Sequence, residues 1–362
     1  MKILDCFSGI GGFRSGFTDI ENEFVGFVDV DENARKSYRS VYSINSEDHN
    51  SKSYEKEFHD IRSVTEADLE GLSVDLVTGG FPCPAFSIAG KRLGFEDTRG
   101  TLFFDLMNVV KITNPKFVLA ENVKGLVTHN KGETLKVIVD VFSEIGYEVE
   151  TAVLNSKNFG IAQNRERIFL LGVRKDIYRE SVLDKVSKHK KPIPMALDIL
   201  EEVVPEKFFV THEGRLERLG KVSLDPTISG KIVVVGNVSK TGYLGNNAFS
   251  PYGIIPTLTA RDFKDPRLII DPRYNNRLRK LTPREYWRLQ GFTDEQFNLA
   301  TLVNANSHLY KQAGNAVTVN VIKAINKELF KIYGDLMIDT NKNLSDFKTA
   351  EKTLEDSSIE VF

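Results

Sequence analysis

One of the two cysteines in this 362-residue sequence is framed for chemistry. Cys83 lies between Pro82 and Pro84 in Gly79-Gly80-Phe81-Pro82-Cys83-Pro84, just after the apolar run Val74-Asp75-Leu76-Val77. The two prolines fix φ on either side of the thiol. A free thiol is only a few per cent ionised at neutral pH, yet it is intrinsically nucleophilic. Open α/β sheets bind ligands at the carboxyl ends of their strands, where this loop would hold the thiol. Cys6 sits inside an apolar run and reads as core packing instead. Glu121 closes the run Phe117-Val118-Leu119-Ala120, a position where a carboxylate is costly without a partner or a task. Gln163-Asn164-Arg165-Glu166-Arg167 adjoins a further apolar run. If extended, it puts Gln163, Arg165 and Arg167 on one side.

A second cluster lies near the start. Phe7-Ser8-Gly9-Ile10-Gly11-Gly12-Phe13 follows the first apolar run. Glycines there permit positive φ and close approach of backbone to a ligand, and the following helix offers free N–H groups. Asp29 comes twenty residues after Gly9, the spacing at which a carboxylate accepts the hydroxyls of a ribose. Arg14 occupies the third-glycine position of the dinucleotide fingerprint, so a full pyrophosphate cradle is not expected. A cofactor with a ribose and no pyrophosphate, such as S-adenosylmethionine, fits the pattern. Asp60, between His59 and Ile61, is a candidate for an adenine amino group. The plainer alternative is a strand-to-helix turn, with Asp60 a surface acid.

The elements that must position these groups follow from the apolar pattern. Ile3–Phe7, Phe24–Asp29, Val74–Val77, Phe117–Ala120 and Arg167–Leu171 lack polar alternation, which suits parallel strands buried on both faces. Helix-like stretches, for example Leu102 to Ile112 and Thr134 to Ile145, lie between them. The alternation predicts an open α/β sheet. Two prolines and a basic cluster in Lys188–Pro194 suggest a boundary. From there to about Arg279 the chain reads as a smaller, β-leaning domain with frequent turns. Val321, Ile322, Ile325, Leu329, Ile332 and Leu336 form one helical stripe. The last stretch, from Asp335 to Phe362, has seven acids against three lysines and reads as a solvated tail.

Composition bounds the rest. Hydrophobic content of 41% and charged content of 27% are those of a globular protein and exclude wholesale disorder. No apolar run approaches the ~18 residues of a membrane span, and Asp5 interrupts any export signal. A cytoplasmic location is expected. Two cysteines cannot build a disulfide framework. The net charge of -2 gives no whole-chain sign of nucleic-acid binding. Residues 261–290 differ, with nine Lys/Arg against four Asp/Glu, a net of +5. Phosphate contact is the functional reading of that segment, and a solvated basic face the plainer one.

Taken in order, the motifs resemble those of the DNA (cytosine-5) methyltransferases of bacterial and phage type. They are Asp5-Cys6-Phe7-Ser8-Gly9-Ile10-Gly11-Gly12-Phe13, Asp29-Val30-Asp31, Gly80-Phe81-Pro82-Cys83-Pro84-Ala85-Phe86-Ser87, Glu121-Asn122-Val123 and Gln163-Asn164-Arg165-Glu166-Arg167. Leu281-Thr282-Pro283-Arg284-Glu285 with Gln290-Gly291-Phe292, and Gln312-Ala313-Gly314-Asn315-Ala316-Val317, complete the series. The resemblance spans about residues 2 to 335 and is weak from about 186 to 277, the family's variable target-recognition region. It implies a Rossmann-like, S-adenosylmethionine-dependent fold: a mostly parallel sheet with helices on both faces, plus a smaller β-rich recognition domain. The implied division is 1–185 for the first part of the catalytic domain and 186–285 for target recognition. Residues 286–340 would form a hinge and return to the catalytic domain, and 341–362 the acidic tail.

The resemblance also implies roles. Phe7, Gly9, Gly12, Asp29, Val30, Asp60, Ile61, Pro82, Leu102, Asn315 and Val317 would form the S-adenosylmethionine pocket. Many relatives carry a bulky aromatic where Val30 stands, so adenine stacking is expected to be weaker here. Cys83 would attack carbon 6 of a cytosine, making carbon 5 nucleophilic. Glu121 would serve N3 and the exocyclic amine, Arg165 would donate to O2, and Arg167 would assist or orient Glu121. The base must leave the duplex first. Thr257, Leu258, Arg261, Arg277 and Arg279 would contact duplex DNA. No metal and no membrane partner are implied, a monomer is expected, and a cognate restriction endonuclease is a possible partner. Cytosine-5 methylation of transfer RNA, a non-catalytic DNA-binding regulator on the same fold, and a nicotinamide-dependent oxidoreductase are the competing readings.

Overall fold

The computed structural model describes residues 1–18, 22–45, 54–82, 102–219, 222–227 and 230–337. Cys83 and the tail 341–362 therefore lie outside the described residues. The first half runs β1 (Lys2–Cys6), α1 (Gly12–Gly16), β2 (Glu23–Val28), α2 (Glu32–Tyr42), β3 (Lys56–Phe58), α3 (Glu66–Leu69), β4 (Leu76–Gly79), α4 (Leu102–Thr113), β5 (Phe117–Val123), α5 (Glu133–Glu144), β6 (Tyr147–Asn155), β7 (Gln163–Asn164), β8 (Glu166–Arg174) and α6 (Leu183–Lys188). The second half runs α7 (Glu213–Leu219), β9 (Val234–Asn237), β10 (Asn247–Phe249), β11 (Ile255–Pro256), β12 (Leu268–Asp271), β13 (Arg277–Lys280), α8 (Pro283–Arg288), α9 (Asp294–Thr301), α10 (Asn306–Asn315) and α11 (Val319–Met337).

Seven strands form one sheet in the order β3-β2-β1-β4-β5-β8-β6. The pairs β1–β2, β1–β4, β2–β3 and β4–β5 are parallel. Successive strand residues point to opposite faces, and both faces are covered. Ile3, Leu76, Phe117 and Leu119 pack on one side with residues of α1 and α11, while Leu4, Cys6, Val77 and Val118 pack on the other with α4 and α5. This is why the central strands read as unbroken apolar runs. The Cys6 thiol is buried in that core, and burial pushes its pKa up.

One expectation needs correction. The run Arg167–Leu171 is part of a strand that is antiparallel, not parallel, to both β5 and β6. The chain turns back from β6 to β8 without a crossover helix, as antiparallel neighbours permit. β6 itself, at the sheet edge, escapes the search for apolar runs because its buried and exposed residues are mixed.

A second sheet, β13-β12-β10-β9, is built from later segments, and β11 pairs in parallel with β7 of the first half. Phe249, Ile254, Ile255, Leu258 and Ile269 share one core with Leu281, Trp287, Leu309 and Ala313, so this cluster spans both sides of residue 285. α11 then returns to the first sheet. Val321, Ile322, Ile325 and Leu329 pack beside Phe13 and Phe17, and the Met1 amino group donates to the Met337 carbonyl at 3.3 Å. No helix among the described residues is long and apolar enough to cross a membrane.

Much of the basic segment is engaged in internal pairing. Arg267 pairs with Asp262, Arg273 with Asp271, Arg277 with Glu206, Arg284 with Glu201 and Arg288 with Asp294. Arg279 is fully buried, donating from Nε to Asp271 at 2.8 Å and from both terminal nitrogens to Glu285 at 2.9 and 2.7 Å. The expectation that Arg279 contacts DNA is therefore corrected. A guanidinium held between two buried carboxylates joins β12 and β13 to α8 and has no face left for a phosphate. Glu285 also accepts from Thr282 N and Glu201 N, extending the clamp to the preceding linker.

Two stability predictions follow. Removing one member of a buried ion cluster leaves its partners uncompensated, typically at a cost of about 3–5 kcal/mol. Arg279→Ala should lower the urea midpoint accordingly, whereas Arg261→Ala, on an exposed turn, should leave it within error. The second concerns Asp5, which is buried on β1 and accepts from Thr78 Oγ1 at 2.8 Å and from Tyr38 OH at 3.3 Å. Burial pushes its carboxyl up to about 7. The folded chain then holds a proton that the unfolded chain releases near 3.8. This contribution to stability is full below that value and is lost as pH rises toward 7. The stability of Asp5→Asn relative to wild type should therefore climb by a few kcal/mol between about pH 4 and 7, measured by urea unfolding across that range.

Candidate active site

At the carboxyl edge of the large sheet lies a cavity of about 1250 Å³. Its lining includes Phe7, Gly9, Asp29, Val30, Asp60, Ile61, Pro82, Leu102, Glu121, Arg165, Arg167 and Asn315. Twelve of the residues singled out from sequence thus meet in one space, although they span more than 300 positions. Gly12 and Val317 are not among the lining residues. They lie against each other, with Gly12 on α1 and Val317 just before α11, and so brace the wall from behind.

The glycine turn builds one end. Phe7 takes φ 52 and Gly9 φ 56, both in the left-handed region. A bulky residue there is a real outlier, and such outliers cluster at ligand sites. The turn aims Gly9 N–H at Asp29, which accepts it at Oδ2 (2.8 Å) and accepts Asp31 N–H at Oδ1 (2.8 Å). Burial pushes the Asp29 carboxyl up, and these two backbone donors oppose the shift. Each carboxylate oxygen has a further lone pair for a ligand hydroxyl. Val30 is 73% exposed beside it. Asp60 is already bound by Arg62, from Nε at 3.0 Å and Nη2 at 2.5 Å, which holds its carboxyl below the usual range.

β5 and β8 build the other end. Their antiparallel register sets Glu121 opposite Phe169 and Val123 opposite Arg167, so Glu121 and Arg167 are diagonal neighbours on one face. Arg167 Nε lies 3.1 Å from Glu121 Oε1. The contact is an ion pair without hydrogen-bond alignment, for Oε1 is buried with no hydrogen-bond partner among the described residues. Burial pushes the Glu121 carboxyl up, while Arg165 and Arg167 hold it down. The adjacent Asn122 is buried and donates to the Phe81 carbonyl at 3.0 Å, tying β5 to the segment that leads into Pro82.

Arg165 is almost wholly buried. Its Nη1 donates to the carbonyls of Leu258 (3.2 Å) and Gly314 (3.4 Å), and Nη2 donates to Ala316 (2.8 Å). Its Nε is buried and has no hydrogen-bond partner among the described residues. The arrangement requires residue 314 to be glycine. A Cβ there would lie 2.3–2.5 Å from the Thr259 carbonyl and Ala260 nitrogen, inside backbone rather than beside a yielding side chain. The Gln312 amide fixes the same helix to α2, donating to Asn33 O and accepting from Ser37 Oγ. Lys311 reaches Asp31 at 2.7 Å across the cavity mouth.

The expected DNA contacts diverge. Leu258 is buried in the core and contributes a carbonyl to Arg165, so its side chain is withdrawn from any duplex, a correction with a clear physical cause. Thr257 is half-buried and donates to Asn164 O at 2.7 Å. Arg277 pairs with Glu206 and stacks over Phe209 at 4.1 Å. Arg261 is exposed. Sequence reading passed over Asn122, Gln312 and Gly314 as individual actors, though each stood inside a quoted motif. Among the described residues, no group of three or more His, Cys, Asp or Glu could hold a metal ion.

Residues 1–331 match the model for the C-5 cytosine-specific DNA methylase family. The type II methyltransferase M.HaeII of Haemophilus aegyptius is 37% identical, over 90% of this chain and 91% of its own length. The type II methyltransferase M1.ScrFI of Lactococcus lactis subsp. cremoris is 36% identical, over 91% of this chain and 78% of its own. The orphan methyltransferase M.SPRI of Bacillus phage SPR is 30% identical over 92% and 98%. The crystal structure of the S. pombe Dnmt2 methyltransferase shares the fold, with a TM-score of 0.68 at 20% identity over 93% of this chain and all of that one.

Proposed function

From a chain that belongs to the C-5 cytosine-specific DNA methylase family, we propose a specific reaction: methyl transfer from S-adenosylmethionine to carbon 5 of a flipped-out cytosine in duplex DNA, through a transient Cys83–carbon 6 bond. One observation carries it. Two residues that line one cavity, Glu121 and Arg165, each carry a buried polar atom, Oε1 and Nε, with no hydrogen-bond partner among the described residues. Buried polar atoms without hydrogen bonds are costly, and two of them beside one cavity support a ligand site there. A cytosine edge presents O2, N3 and the exocyclic amine side by side. A donor and a carboxyl group whose proton is favoured by burial are complementary to that sequence of groups.

The residues at the other end of the cavity fit the cofactor. Asp29 retains acceptor capacity for the two ribose hydroxyls, a Cβ at Gly9 would meet no described residue beyond its chain neighbours within 4 Å, and Val30 and Ile61 offer apolar surface for an adenine. S-adenosylmethionine, when bound, supplies an electrophilic methyl group. The chain's own part is the following. Cys83, next in sequence to the cavity residue Pro82, adds as thiolate to carbon 6. Glu121, sharing a proton with N3, and Arg165, donating to O2, neutralise the charge that develops there, an arrangement of oxyanion-hole type. Arg167 holds Glu121 in place by the ion pair. Once carbon 5 carries the methyl group, loss of its proton and expulsion of the Cys83 thiolate restore the ring. The type II relatives support a modification role beside a restriction endonuclease with the same target, which protection of plasmid DNA from cleavage would reveal.

Two experiments test the site. Asp29→Ala should weaken S-adenosylmethionine binding by about tenfold, on the basis of about 1.4 kcal/mol for a charge-assisted hydrogen bond. Calorimetry checks this, and unchanged affinity would remove Asp29 from the cofactor site. Duplex DNA carrying 5-fluorocytosine should trap the wild-type enzyme covalently, because carbon 5 then has no proton to lose. Cys83→Ser should form no trapped species while binding cofactor normally. Glu121→Gln should form it at least a hundredfold more slowly, since one stabilising group is typically worth that much. Trapping of Glu121→Gln at the wild-type rate would exclude Glu121 as the N3 partner.

A further inference from the structure

Two acids, Asp29 and Asp31, line the cavity where β2 passes into α2, with only Val30 between them in sequence. The Asp31 N–H donates to Asp29 Oδ1 at 2.8 Å, which holds the second acid beside the first. Asp31 Oδ1 caps α2, accepting from Asn33 N at 3.0 Å and Ala34 N at 3.3 Å. Its Oδ2 accepts from Lys311 Nζ at 2.7 Å. Lys311 stands on α10, 280 residues further along the chain, and lines the same cavity. Like charges this close oppose each other's ionisation, and an opposite charge relieves them. Burial pushes the Asp31 carboxyl up, but Lys311 and the helix N–H groups prevail and hold it below the usual range. At Asp29 burial pushes the carboxyl up, backbone donors from Asp31 and Gly9 hold it down, and the Asp31 charge pushes it up again.

We infer that Lys311 serves the cofactor through Asp31: by neutralising that carboxylate it keeps Asp29 ionised, and so an acceptor for both ribose hydroxyls. The inference rests on the role proposed above for Asp29. Each Asp29 oxygen already accepts one backbone N–H. Only an ionised carboxyl has acceptor sites left at both oxygens, because a protonated one turns a site into a donor. An unrelieved negative charge at Asp31 would favour that proton. Other charged groups face Asp29 from the neighbouring elements. Arg35 of α2 bonds the Asp29 carbonyl at 2.7 Å, but its Nε is paired with Glu57 at 2.8 Å. Asp5 of β1 is close enough to feel the Asp29 charge. Asp60, after β3, is matched by Arg62. The Lys311 ammonium is bonded to Asp31, which makes Lys311 a positioning residue and not a ribose contact.

The test is calorimetric titration of the full-length protein with S-adenosylhomocysteine between about pH 5 and 8. This probe has the ribose and adenine but no sulfonium charge, so a change in protein charge has little direct effect on it. Affinity should fall as pH drops and Asp29 takes a proton. In Lys311→Met the fall should begin about half a pH unit higher. Binding is then about threefold weaker than wild type at the acid end and within about 1.5-fold at the alkaline end. Lys311→Arg, which keeps the charge, should follow the wild type. Asp31→Asn keeps a good helix cap. In the Lys311→Met background it should restore the wild-type profile, because the charge to be neutralised is gone. The Lys311 side chain is 44% exposed, so its replacement does not threaten the fold. A loss equal at every pH, no loss, or a double variant as weak as Lys311→Met would each overturn the inference and leave Lys311 a structural tie between α10 and α2. Asp29→Ala separates the premise. Wild-type affinity there would dismiss Asp29 as the ribose acceptor, and this inference with it. Weakened binding there, with no shift in Lys311→Met, would overturn this inference alone.

Discussion

A guanidinium buried at the foot of a cavity is the constraint around which this molecule is arranged. Its charge cannot be left without partners in a low-dielectric interior. The chain satisfies Arg165 with carbonyls from residues 258, 314 and 316, which belong to separate stretches of sequence. Bringing those stretches together dictates much else. The end of α10 must press against residues 259–260 closely enough to exclude a Cβ at position 314. α10 must be anchored to α2 through Gln312, and α2 begins directly after the turn that carries Asp29. One buried charge thereby connects the two ends of the cavity.

The other arginines follow the same logic with a different result. A run of nine basic residues in thirty invites an electrostatic reading toward phosphate. Six of those nine instead sit in ion pairs, several with acids outside the run, at Glu201, Glu206 and Asp294. Net charge counted over a window of sequence ignores partners that the fold imports from elsewhere. Only contacts decide whether a cation is structural or available, and Arg279 and Arg261 fall on opposite sides of that line despite being eighteen residues apart.

What could be read from sequence divides along the same boundary between local and non-local physics. The central strands announced themselves because burial on both faces removes polar alternation, as Ile3-Leu4 and Val77 show. The glycine turn, Asp29 and Glu121 were legible because strand ends followed by special backbone or a costly carboxylate are local signals. The reversed direction of β8 was not legible, since an apolar run has no polarity. Nor was the edge strand β6, whose glutamates at 148 and 150 break the pattern while one of them, Glu150, is buried and bonded to Leu183 N. Gln163, Asn122 and Gln312 act through side-chain bonds to backbone 41 to 279 residues distant, and no spacing rule in sequence encodes such pairs.

The direction of β8 has a chemical consequence that composition alone would never suggest. In an antiparallel pair, side chains two residues apart in register meet diagonally on one face, close enough for long side chains to touch. That geometry sets Arg167 against Glu121, which follows directly on the four buried residues that open β5. Had β8 run parallel to β5, as β4 does, the basic motif would enter the sheet from its opposite edge, some five residues or about 17 Å away. Glu121 would then face the cavity as a buried carboxylate without a cation, and Arg165 would lie too far from residues 314–316 to use their carbonyls. The strand reversal is thus what lets one short motif, Gln163 to Arg167, serve both as the wall of the cavity and as the joint between the sheet and the segments that return to it.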